Sequence, residues 1–140
     1  MLTACASDPA PAASPPPPGE GRSIVVGSAP ACVPPSAIPY GDVAALLPPG
    51  LAMPSGARLL EKDVTGGVTT VVGESRTPLL PLLAKFRSGL TRAGRTIFSE
   101  DNEGVEAELF FSIPRGGIGV LRETRARCPV GVTRFSITLN

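Results

Sequence analysis

The sequence predicts an α+β fold: a mostly antiparallel sheet with one amphipathic helix packed on one face, in the order β-β-α-β-β-β-β. Three observations carry this. Leu79, Leu82, Leu83, Phe86 and Leu90 recur at helical spacing. Val105, Ala107, Leu109, Phe111 and Ile113 alternate with Glu106, Glu108, Phe110 and Ser112, the mark of a half-buried strand with one dry face. Glycine- and proline-bearing turns separate the remaining short runs of β-branched and aromatic residues.

In chain order, residues 6–22 are Pro, Ala, Ser and Gly with two acids, including four prolines at 15–18. Such a stretch cannot join a core and reads as a disordered tether; in polyproline II at about 3.1 Å per residue it spans roughly 50 Å. Residues 23–27, SIVVG, form a β-branched run. Residues 23–56 as a whole are irregular, because Pro34, Pro35, Pro39, Pro48 and Pro49 break any regular element, with room for a helical turn or two at 42–47. The segment reads as a wrapping loop joined to the domain at 57–140.

Within that domain, runs at 57–64 and 68–74 flank Thr65-Gly66-Gly67, and Gly-Gly supplies the positive φ of a tight hairpin turn. Thr77-Pro78 is placed to cap a helix and start it with proline, and Gly94 to stop it, which predicts a helix over 78–93. Lys85, Arg87 and Arg92 fall between the apolar stripe positions. Strands are expected at 95–100, 105–113, 118–127 and 132–139, with turns at 102–104 and 114–117 that make neighbours antiparallel.

Composition closes off several functions. The net charge is +1 with no run of Lys or Arg, so the field that holds a phosphate backbone is missing and nucleic acid is not expected as a partner. No apolar run approaches the roughly 18–20 residues of a membrane-spanning helix. The chain has no His, hence no Ser-His or Cys-His nucleophile and no imidazole metal ligand. Ser75 in GESRT lacks the closing Gly and base of a nucleophile elbow, and Gly117-Ile118-Gly119 lacks the third glycine of a dinucleotide site. No cofactor, metal or catalytic residue is expected.

Three cysteines, Cys5, Cys32 and Cys128, invite one pair and one residue with another task. Leu2-Thr3-Ala4-Cys5, followed at once by Ala-, Ser- and Pro-rich sequence, resembles the lipobox of bacterial lipoproteins. The resemblance covers four residues. It implies that residues 1–5 are the remnant of a lipoprotein signal, that Cys5 is acylated, and that the protein is anchored by lipid in the bacterial cell envelope, facing periplasm or exterior. A lipobox follows a basic and then an apolar segment, and only Met1 stands there, so a signal segment upstream of Met1 is expected. Several acyl chains hold firmly where one is marginal. Export would leave Cys32 and Cys128 free to oxidise to each other; the alternative is two reduced thiols packed as small hydrophobes.

Two charge clusters complete the candidates. Glu100, Asp101, Glu103, Glu106 and Glu108 are the densest acids, without the spacing of a calcium loop, and read as a polar turn and a solvated strand face. Arg122, Arg125, Arg127 and Arg134 are a candidate interaction patch for an anionic polymer; the competing reading pairs them across strands with Glu106, Glu108 and Glu123. The functional expectation is a lipid-anchored, non-catalytic binding or accessory module whose partner is an envelope protein or cell-wall polymer. The alternatives are a small hydrolase using paired carboxylates and a permanent structural subunit of an envelope complex.

Overall fold

The first strand pair is β1 (Arg58–Thr65) and β2 (Val68–Ser75), joined at Gly66-Gly67, whose φ values of 59° and 84° meet the demand of a two-residue hairpin for left-handed backbone at both positions. A helix, α1 (Leu79–Arg92), carries the chain to the far edge of the sheet. From there β3 (Ile97–Asn102), β4 (Glu106–Ser112), β5 (Ile118–Arg125) and β6 (Thr133–Leu139) return as an antiparallel meander, and β6 pairs with β2. The spatial order is β1-β2-β6-β5-β4-β3, antiparallel throughout, with one helix against the sheet. The element order expected from sequence is the order found.

This computed structural model describes residues 32–33 and 35–140, within a compact unit at 31–140. Cys5, the 6–22 tether, the 23–27 run and Pro34 lie outside the described residues.

All five stripe residues of α1 are buried, as is Gly89. Its first residue is Leu79, one position later than expected, and Pro78 stands at the N-cap with extended backbone and no capping side chain. Thr77 does not cap: its amide donates to Ser75 Oγ at 3.1 Å and its carbonyl accepts from Thr133 Oγ1 at 2.9 Å, so it ties the loop to β6 instead. The helix ends as the sequence indicates. Gly94 (φ 72°) lets its own amide reach Thr91 O and that of Arg95 reach Leu90 O, satisfying two carbonyls of the last turn.

One sheet face is dry. Leu59, Val71, Ala107, Leu109, Phe111, Leu121, Phe135 and Ile137 supply it from five strands, and α1 lies over β3, β4 and β5. The remainder is covered by the proline-rich segment, which adds Val43, Leu47 and Leu51 to the core. The core therefore begins well before residue 57. A short 3-10 turn (Tyr40–Asp42) orients this segment, Ile38 bridges to Leu59, and Lys62 Nζ donates to Asp42 O at 3.1 Å. Leu51 rests on α1 at Gly89, where a Cβ would stand 3.4 Å from its Cδ1.

Two large rings sit on this face opposite glycines. Phe135 pairs in register with Gly73, and Phe111 with Gly119. A bare Cα on one strand makes room for an aromatic ring from the next, and Phe135 also meets Phe86 of the helix edge-on, ring centres 5.0 Å apart.

Candidate functional site

Cys32 and Cys128 lie at disulfide distance, Cα atoms 5.5 Å apart at a sequence separation of 96. The pair ties the entry of the chain to the loop after β5. Around it stand the first turn of α1, the β2–α1 connection and the β5–β6 loop, and two concave surfaces open there. One, of about 610 Å³, includes Cys32, Arg58, Glu74, Arg76 and Pro129 in its lining. The other, of about 490 Å³, is a groove between α1 and the β5–β6 loop, walled by Leu79, Leu80, Val130 and Val132 together with Arg125. Pro78 and Val132 belong to both.

The four arginines of the candidate patch do not come together. Strand alternation puts Arg122 and Arg134 on the sheet face away from the helix, while Arg125 follows the buried Leu121 and Glu123 on the helix side and lines the groove. Arg127 stands in the loop beyond the strand.

On the open face the arginines have acidic neighbours. One row across the sheet reads Arg58, Glu74, Arg134, Thr124, Glu106 from β1 to β4. Arg58 binds Glu74 at 3.1 Å, and Arg134 stands 3.8 Å from the same carboxylate. Arg122 is held by Glu106 at 3.2 Å and, more tightly, by Glu108. The acidic cluster is thereby divided. Glu106 and Glu108 serve Arg122, Glu100 crosses to the helix side to pair with Arg87, and Asp101 and Glu103 line a small cavity of about 160 Å³ beside them. Among the described residues no three such side chains are placed to hold a metal ion, and no helix is long and apolar enough to cross a membrane.

Glu123 departs from its expected cross-strand pairing. It shares a face with Leu121, not with Arg122, so it points under the helix between Ala107 and Phe135 and is fully buried. Among the described residues neither carboxylate oxygen has a hydrogen-bond partner. Burial without a counter-charge disfavours the ionised form and raises its pKa to about 8. The parity of β5, with Leu121 marking the dry side, is the sequence signal that locates it. The groove has no comparable signal, because Leu80 and Val130 are single apolar residues at the margin of a helix and in a loop.

No family model, curated protein or solved structure matches this chain.

Proposed function

We propose that the protein is a lipid-tethered component of the bacterial cell envelope whose folded part is a non-catalytic binding module. The observation that carries the reading is the Cys32–Cys128 pair. Two cysteines so distant in sequence meeting at bonding distance suit an oxidising compartment, where disulfides persist. Cys5 is then the cysteine without a partner, in the four-residue context that resembles a lipobox. The proline-rich stretch that follows holds the domain away from the bilayer.

The concave surfaces near the cysteine pair supply the place to bind. They sit where two loops and a helix start converge on a rigid sheet, the usual location of recognition in a small domain. Against the hydrolase reading, Glu106 and Glu108 are engaged with Arg122 rather than poised across a cleft. Labelling with palmitate in a bacterial host tests the tether: wild-type protein is expected to carry label and Cys5→Ala to carry none, and label retained by the variant overturns it.

A further inference from the structure

The groove between α1 and the β5–β6 loop has a chemistry of its own. Leu80 and Val130 on its walls are 53% and 90% exposed, apolar surface that folding leaves in water. Pro78 and Pro81 also line it and have no N–H to offer, and the hydroxyl of Thr133, also in the lining, already donates to Thr77 O at 2.9 Å. β5 and β6 are interior strands, so neither presents a free edge on which a peptide could add a strand. Hydrocarbon is satisfied by such walls; a ligand rich in hydrogen-bonding groups is not. The volume, about 490 Å³, is in the range of small-molecule sites.

The one charged group in the lining is Arg125. Among the described residues the ion pairs are made by Arg58, Arg87, Arg122 and Arg134, and Arg125 has none. The acid nearest along its own strand face, Glu123, is sealed under the helix. We propose, building on the reading of the domain as a binding module, that this groove holds a single-chain anionic amphiphile, its apolar chain along Leu80, Val130 and Val132 and its anionic head on Arg125. A flat anionic bilayer fits less well. The backbone N–H of Arg125 donates to Val105 O at 3.3 Å, which brings the β3–β4 turn, with Glu103, alongside Arg125, where a sheet of headgroups would meet it. A single anion directed at Arg125 makes no such demand on the turn.

The test is titration of the 140-residue chain with dodecanoate below its micelle concentration, followed by amide chemical shifts and calorimetry. Dodecyltrimethylammonium, which keeps the chain and reverses the head, and butyrate, which keeps the head and shortens the chain, run beside it. Saturable binding of dodecanoate alone is expected, with shifts confined to Leu79, Leu80 and residues 125–133. Arg125→Ala is expected to weaken it about tenfold, equivalent to about 1.4 kcal/mol, and Leu80→Asp to abolish it, both variants unfolding at the wild-type urea midpoint because both side chains are exposed. Equal binding of the cationic amphiphile, no loss in Arg125→Ala, shifts located elsewhere, or binding only to phosphatidylglycerol vesicles would each overturn the proposal. Binding is read on purified protein and acylation of Cys5 in cells, so failure of one is distinguishable from failure of the other.

Discussion

The ring of Phe135 occupies the space that a side chain on Gly73, its partner across the β2–β6 pair, would need. A Cβ there would fall 2.7 Å from Phe135 Cε2 and 2.8 Å from the carbonyl oxygen of Arg58, and neither the packed ring nor the strand backbone yields easily. Gly73→Ala is expected to destabilise the domain by about 1 to 3 kcal/mol, as overpacking of a tight core does. Urea unfolding measures it; a wild-type midpoint would mean that the ring moves freely.

The helix stripe is expected to dominate stability. Phe86→Ala removes a buried ring in contact with Phe135 and should cost about 3 to 5 kcal/mol. Arg92→Ala, on the solvent side, should cost less than about 0.5 kcal/mol. The urea midpoints of the two variants decide it, and equal values would show that the stripe is not the core.

Glu123 sets a pH dependence whose sign follows from its raised pKa. Between the usual carboxyl value of 4.5 and about 8, the unfolded chain has lost this proton while the folded protein keeps it. The folded state then binds more protons, and its stability falls as pH rises through that window, by about 1.4 kcal/mol per pH unit for one such group, an upper bound that relaxation around the carboxylate reduces. Denaturation at pH 5 and pH 8 should show the loss, and Glu123→Gln, which stays neutral, should flatten it. A variant with the wild-type slope would place the titration elsewhere.

The cysteine pair is expected to be oxidised in exported protein. Mass measurement after alkylation under denaturing conditions should find Cys32 and Cys128 unmodified until reduction. Replacing both by Ala should lower stability by about 4 to 5 kcal/mol if chain entropy alone acts across so long a loop, and by less if strain offsets it.

What was legible in the sequence is what repeats. The stripe on α1 has the period of a helix and β4 the period of a strand, and each buries the residues its period selects. Gly66-Gly67 and Gly94 are backbone requirements written as residue types, and both sit where their chemistry demands. Long-range choices were less legible. Thr77 has the side chain of a helix cap, yet Pro78 takes the N-cap position and Thr77 is held by its backbone between Ser75 and Thr133. Val43, Leu47 and Leu51 enter the core from a segment whose prolines conceal any period. Arg122 and Arg125 on β5 stand three residues apart, an odd number of pleat steps, and that parity sends one to each face. The groove is assembled from two pieces of chain more than forty residues apart, Pro78 to Pro81 and Val130 to Thr133, so no local pattern announces it.

Of the six strands of the sheet, the one latest in sequence is an inner one. β6 is inserted between β2 and β5, so the sheet has no continuous seam without residues 133–139. Without β6 the sheet would be a two-stranded ribbon, β1–β2, and a separate three-stranded meander, β3–β5, and a lone two-stranded ribbon is marginal in water. The two halves therefore become one sheet only when β6 joins them, so the cooperativity of the fold is concentrated in the pairing along both edges of that strand.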